Sequence, residues 1–198
     1  MNLRAPAILV AARPHGETAV IARLLTEEFG LVAGYVAGGR GRVLRPVVIP
    51  GNLVELELRA KSDSQLPFAR LELVESRGPW LGEPLPAAAI QWATALTASA
   101  LPERNPYPSL FSALEALLRA VCQAPSARGW APAMLAYEAL LLRELGYGGA
   151  KPEAGELPEV LSAMEKLADP LQRYLLADRR GDTLAARTLL LERLRKMV

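Results

Sequence analysis

The chain has 198 residues, a length that suits one large domain or two small ones. Its hydrophobic fraction of 51% is enough to bury real cores, and its formal charge of +2 neither requires nor excludes a nucleic-acid partner. One cysteine, Cys122, excludes an intrachain disulfide framework and a cysteine-rich zinc site, and one histidine, His15, leaves no material for a transition-metal site or a histidine-based catalytic network.

The N-terminus lacks the basic segment, apolar run and small-residue cleavage site of a secretion signal. No apolar run approaches the length that spans a bilayer, so a soluble cytoplasmic protein with no membrane contact is expected. Residues 1–80 carry 10 Lys+Arg against 8 Asp+Glu, whereas residues 81–198 carry 13 of each, so the small net excess lies in the first part of the chain.

Residues 1–80 read as β-rich. Residues 5–12 form a short apolar run that ends at Arg13-Pro14-His15-Gly16, a turn with two breakers. Residues 18–28 fit a helical face through Val20, Ile21, Leu24 and Leu25. The Gly30 stop and the apolar run at residues 31–37 suit a β-meander as well, and strand–turn–strand is the favoured reading. Residues 53–59 alternate Leu53, Val54, Glu55, Leu56, Glu57, Leu58, the pattern of a half-buried antiparallel strand. Residues 68–74 repeat it, with Phe68, Leu71 and Leu73 interleaved with Arg70 and Glu72. Several short strands joined by Gly- and Pro-bearing turns predict a small barrel.

Composition changes at residues 78–86, where Pro79, Pro84 and Pro86 join Gly78 and Gly82. This divides an N-terminal domain, residues 1–79, from a helical domain, residues 80–198, an α+β chain overall. Helices are expected over residues 87–101, 109–122 and 131–145, and weaker ones over 157–177 and 182–197 with Asp182 as N-cap. Trp80, Trp92 and Trp130 read as packing residues, and Cys122, on the apolar side of its helix, as a buried inert thiol.

The most informative segment is Gly38-Gly39-Arg40-Gly41-Arg42-Val43-Leu44-Arg45, within residues 30–53, which hold no acidic residue. Arginine keeps its charge and offers phosphate a planar fork of donors, and glycines let a backbone approach a ligand closely. Such a loop can track phosphates, or it can be a solvated hairpin tip with no partner. It is not a nucleotide-hydrolase phosphate loop, because it lacks the glycine-lysine-serine/threonine ending. The βαβ context of a dinucleotide fingerprint is missing as well.

Two further constellations stand in the helical domain. Met134, Leu135, Tyr137, Leu141 and Leu142 crowd one helix with Arg128 and Arg143 at its ends, which makes either an arginine-edged groove for an acidic-hydrophobic peptide or a helix buried in its own bundle. Arg179, Arg180, Arg187, Arg193, Arg195 and Lys196 form a second basic group near the C-terminus. His15 beside Glu17 suggests a small hydrolase, but no nucleophile, oxyanion device or metal cluster completes such a site, and no catalytic centre is expected.

The order Arg13-Pro14-His15-Gly16-Glu17-Thr18, Leu25-Thr26-Glu27-Glu28-Phe29-Gly30, Ala37-Gly38-Gly39-Arg40-Gly41-Arg42 and Pro50-Gly51-Asn52 resembles the N-terminal domain of RecO recombination mediators. Leu101-Pro102-Glu103-Arg104, Tyr137-Glu138 and Leu145-Gly146-Tyr147-Gly148 look like the family's helical half, while the last fifty residues resemble it only loosely. The resemblance implies an oligonucleotide-binding (OB) barrel followed by a helical domain. It also implies binding of single- and double-stranded DNA, annealing of complementary strands, and help in loading the recombinase onto strands coated by single-strand-binding protein (SSB). The implied partners are the RecR ring, in some lineages RecF, and the acidic-hydrophobic C-terminal tail of SSB. Arg40, Arg42 and Arg45 fall in the family's basic loop and Arg13 in its first turn.

The sequence departs from the family twice. Many members carry a four-cysteine zinc site just after the Leu-Gly-Tyr-Gly motif; here residues 149–156 hold no cysteine, and no metal or other cofactor is expected. Many also place arginine before the aromatic-glutamate pair, where this chain has Ala136, which puts the carried-over tail site in question.

Overall fold

Five strands, β1 (Asn2–His15), β2 (Ala19–Thr26), β3 (Gly30–Val36), β4 (Leu53–Arg59) and β5 (Phe68–Glu75), close into a barrel in the order β1-β2-β3-β5-β4. The computed structural model describes residues 2–60, 62, 65–153, 155–177 and 182–198, with only the backbone of Asp182. All strand pairs are antiparallel except β3–β5, which meet in parallel at Tyr35 and Phe68. This is the OB-type arrangement.

Alternation decides which side chains fill the barrel. Val54, Leu56 and Leu58 of β4 are fully buried and meet Leu9, Leu24, Val32, Val36 and Leu71 inside, while Glu55 and Glu57 face out. Closure depends on small residues where β3 meets β5. A Cβ added to Gly34 would lie 2.6 Å from the Ala69 Cβ and 2.8 Å from Leu58 Cδ2, so any larger residue would force these strands apart.

Two expectations about the barrel are corrected. The first strand does not turn at Arg13; it runs through Pro14 to His15, and the turn is Gly16–Thr18. β4 pairs with β1 only as far as Ile8, and Leu9 still bonds Gly51 and Asn52; past Leu9 no strand pairs with this edge of β1 among the described residues, and a proline without an N–H is tolerated there. On β5 the inward residues are Ala69 and Leu71, whereas Phe68 and Leu73 are exposed. Phe68 shares its parity with Arg70 and Glu72, not with Leu71.

The chain after the barrel forms α1 (Pro84–Ala100), α2 (Pro108–Gln123), α3 (Ala131–Glu144), α4 (Leu157–Lys166), the single turn α5 (Ala168–Pro170) and α6 (Asp182–Arg195). A short 3-10 stretch, Gly78–Gly82, precedes α1. By contacts the chain divides into two compact units, Met1–Gly82 with Leu101–Phe111, and Glu83–Ala100 with Ser112–Val198. Residues 101–111 join the first unit because Arg104 N–H donates to the Leu31 carbonyl at 2.8 Å and Glu103 bridges Leu31. Gly30, at φ +68, admits this segment: a Cβ there would sit 2.1 Å from the Asn105 carbonyl oxygen.

The helix expected over residues 157–177 is interrupted. α4 ends at Lys166, and after α5 the chain widens into a π-type turn, Leu171–Leu175. Pro170 has no N–H for an intrahelical bond, which accounts for the break. Trp92 and Trp130 are buried as packing residues; Cys122 is half-buried rather than buried, at the margin of the Leu118–Val121 face. The proposed capping side chain of Asp182 lies outside the described residues. Among the described residues no helix is long and apolar enough to cross a membrane.

Candidate nucleic-acid interface

Between β3 and β4 the arginine segment folds as an amphipathic cap, not as an open hairpin tip. Arg45 N–H donates to the Gly41 carbonyl and Val48 N–H to the Leu44 carbonyl, both at 2.9 Å, which makes turns of helical pitch without a full helix. Leu44, Val47 and Val48 therefore share one side and pack onto the barrel core. Arg40, Arg42 and Arg45 are left on the outside, all exposed.

The three arginines are not equivalent. The Arg40 guanidinium donates from Nη1 to the Gly16 and Glu17 carbonyls at 3.2 and 3.1 Å, and its N–H donates to the Thr18 carbonyl at 2.9 Å. It pins the cap to the β1–β2 turn. Arg45 Nη2 donates to the Arg40 carbonyl at 3.2 Å and closes the cap on itself. Arg42 forms no hydrogen bond or ion pair among the described residues, nor does the exposed Arg13. Buried Asn52 anchors the far end of the cap. Its Nδ2 donates to the Pro46 and Val47 carbonyls at 2.9 and 3.0 Å, and its Oδ1 accepts from Arg77 N–H at 2.7 Å.

Strand register supplies what the sequence reading missed. Arg13 pairs with Ile21, Ile21 with Tyr35, Tyr35 with Phe68, and Phe68 with Arg59, so one outward-facing row crosses five strands. At its centre the Tyr35 and Phe68 rings meet edge to face at 5.5 Å, and the His15 ring meets Tyr35 edge to face at 5.9 Å. A groove of about 550 Å³ opens beside them, lined by Tyr35, Gly38, Arg42, Val43, Phe68 and Arg70 among others, with no acidic residue among the described residues of its wall. The signal available in the sequence was parity: once Ala69 and Leu71 point inward, Phe68 and Arg70 must point out.

The outer side of β4 is different. Arg4 Nε binds Glu55 at 3.1 Å, and Glu57 accepts from Arg59 Nε at 2.8 Å. The Arg59 hydrogen bond, reinforced by the charges of Arg59, Arg70 and Arg4, holds the Glu57 carboxyl below its ordinary range despite partial desolvation. Cations here are matched by carboxylates, and Arg70 borders both this side and the groove.

In the helical unit α3 follows the second of its two readings, a helix buried in its own bundle, and not the groove. Met134 and Tyr137 are 0% and 2% exposed, so the apolar face of α3 is core. The Tyr137 hydroxyl is 2.6 Å from Thr97 Oγ1, and burial pushes the phenol pKa up from its ordinary value. Arg128 is exposed and donates to the Met197 carbonyl at 3.2 Å; Arg143 has a buried Nη1 without a partner.

Nor do the C-terminal cations form one bare surface. Arg187 is buried, bidentate to fully buried Glu138 at 3.0 and 2.9 Å, and donates to the Met164 carbonyl at 2.6 Å. Glu138 Oε1 also accepts from Trp92 Nε1 at 2.8 Å, so α1 and α6 converge on one carboxylate of α3, and Arg187 ties α4 in through the Met164 carbonyl. Arg193 donates to the Pro84 carbonyl, Arg195 pairs with Glu165 at 2.8 Å, and Lys196 stands exposed without a partner among the described residues. Arg179 and Arg180 lie outside the described residues. No group of three or more His, Cys, Asp or Glu that could hold a metal occurs among the described residues.

Two family models match the chain in order: Recombination protein O N terminal over residues 1–77 and Recombination protein O C terminal over residues 84–149. The DNA repair protein RecO of Caulobacter vibrioides (strain NA1000 / CB15N) is 43% identical over 143 residues, covering 72% of this chain and 58% of its own length. The protein of the same name from Rhodospirillum centenum is 44% identical over 143 residues, 72% of this chain and 56% of its own length. That of Gluconacetobacter diazotrophicus is 38% identical over 151 residues, 75% of this chain and 59% of its own length. The match thus spans less than two thirds of these relatives' length.

Proposed function

The chain belongs to the RecO family, and from that membership we propose that it is a DNA-binding mediator of DNA repair and recombination, working in the cytoplasm without catalytic chemistry, metal or nucleotide. It binds single- and double-stranded DNA through the barrel domain, residues 1–79. There it anneals complementary strands, and it assists recombinase loading onto SSB-coated strands. The helical domain, residues 80–198, supplies contacts to protein partners: the RecR ring, RecF in some lineages, and the SSB tail. With Met134 and Tyr137 in the core, the cations left for an acidic tail are exposed Arg128 and half-buried Arg143.

The observation that carries this reading is Arg42, exposed and unpartnered on a cap that is itself pinned at both ends. A cation held on a fixed backbone with no carboxylate nearby keeps its field for an external anion. Arg42, Arg45 and Arg13 neutralise phosphates on two strands, lower their mutual repulsion and let complementary bases pair. Phosphate contacts carry no base information, so binding depends little on sequence.

The test is a titration of labelled single- and double-stranded oligonucleotides across a range of salt, with an annealing assay on complementary strands. The expected result is affinity that falls linearly with salt on logarithmic axes, with a slope of about 0.7–0.9 per phosphate contacted, and accelerated annealing. Binding that survives high salt undiminished contradicts the mechanism.

A further inference from the structure

We infer that the Tyr35–Phe68 pair is a stacking platform for an unpaired DNA base, so that the groove face of the barrel takes single strands in preference to duplex. This rests on the DNA-binding reading above and goes beyond it, because phosphate contacts alone give a single strand no advantage over duplex, whose charge density is higher.

Four observations converge on the pair. Phe68 is 59% exposed on a strand whose next residue, Ala69, is buried, so the ring is placed outside by strand parity and not by a loose loop. It is braced: Tyr35 meets it edge to face at 5.5 Å, and His15 braces Tyr35 in turn at 5.9 Å. The groove beside it holds Arg42 and Arg70 and, among the described residues, no carboxylate, the arrangement in which a backbone phosphate and its base are held together. Finally, the row that carries the rings begins at exposed Arg13, so a further cation stands on the β1 side of the aromatic centre, while Arg59 at the other end is matched by Glu57.

Stacking on a ring requires a base that has left its own stack. In a duplex both faces of each interior base are covered, so no base face is offered to a ring. Duplex therefore reaches Arg42 and Arg70 but gains nothing from Phe68, whereas a single strand uses both. The ring is sequence-tolerant, since every base has a π face.

The experiment compares the full chain with Phe68→Leu and Phe68→Trp, using a short labelled oligothymidylate and a blunt duplex of equal length at one salt concentration. Leucine keeps apolar area and removes the π face; tryptophan keeps the face and reports on it. The expected result is oligothymidylate binding about tenfold weaker in Phe68→Leu, with duplex binding within about twofold of the parent. In Phe68→Trp single-strand binding is retained. Its indole emission, after subtraction of the parent's own tryptophans, is quenched by oligothymidylate and not by duplex. Phe68→Leu binding both ligands as the parent does, or losing both alike, overturns the inference while leaving the DNA-binding function standing, as does unchanged emission from Phe68→Trp at saturation. A parent protein that binds neither ligand overturns both.

Discussion

The arginines of the barrel cap and those near the C-terminus differ in what stands opposite them. Residues 30–53 contain no acid, and there Arg42 is exposed and has no partner among the described residues. Glu138 and Glu165 lie within reach of α6, and there Arg187 and Arg195 are each taken up by a carboxylate. Residue type and local density are alike in the two regions. The supply of partners is not, and it decides which cations remain for a ligand. A basic group in sequence is a candidate surface only after its internal ion pairs are removed.

The sharpest way to break that contrast is Arg187→Ala. It leaves the Glu138 carboxylate buried without its cation, and a loss of about 3–5 kcal/mol is expected in a denaturant titration. The remaining folded protein should bind oligonucleotides as the parent does. Weakened DNA binding at unchanged stability would mean that Arg187 belongs to a DNA surface after all.

Asn52→Ala comes next. It removes the side-chain acceptor of Arg77 N–H and the donor to the Pro46 and Val47 carbonyls, for an expected cost of about 1–3 kcal/mol. Faster hydrogen exchange of the cap amides should accompany it. Cap exchange unchanged from the parent would show that Asn52 does not hold the cap.

Arg40→Ala should cost about 1 kcal/mol, because the β1–β2 turn carbonyls it serves are exposed and water can replace it. Arg42→Ala should leave stability unchanged. The two substitutions therefore separate a positioning arginine from a ligand-facing one, and equal stability effects would erase the distinction.

A smaller effect concerns Tyr137. Burial raises its pKa above 10.0, so above that pH the unfolded chain ionises while the folded phenol stays protonated. Its stabilisation is fully present below pH 10 and declines as pH rises beyond it. Tyr137→Phe, which removes the titrating group, should flatten that alkaline decline. An identical pH profile in the variant would show that another group is responsible.

Much of this architecture is legible in the sequence, for local reasons. The β4 alternation, the choice of strand for residues 18–28 and α1 to α3 all follow from periodicity and breakers within a few residues. What escapes is non-local. Tyr35 and Phe68 become neighbours only because the parallel β3–β5 contact closes the barrel, and no period within either strand announces that pairing. Glu138 and Arg187 lie on separate helices, so a pattern that reads each helix alone leaves the arginine on a basic surface. Pro14 reads as a breaker until the strand's free edge is known, and Arg40 reads as a ligand contact until the Gly16–Thr18 turn is placed against it.

The central claim is that DNA handling lies on the unpartnered arginine of the barrel cap and not on the partnered ones of α6. The most direct measurement is a salt-dependent oligonucleotide titration of Arg42→Ala beside Arg195→Ala. The account predicts weaker binding in the first variant, with a salt slope smaller by about one per lost contact, and parental binding in the second. Parental binding in the first and weakened binding in the second would contradict it.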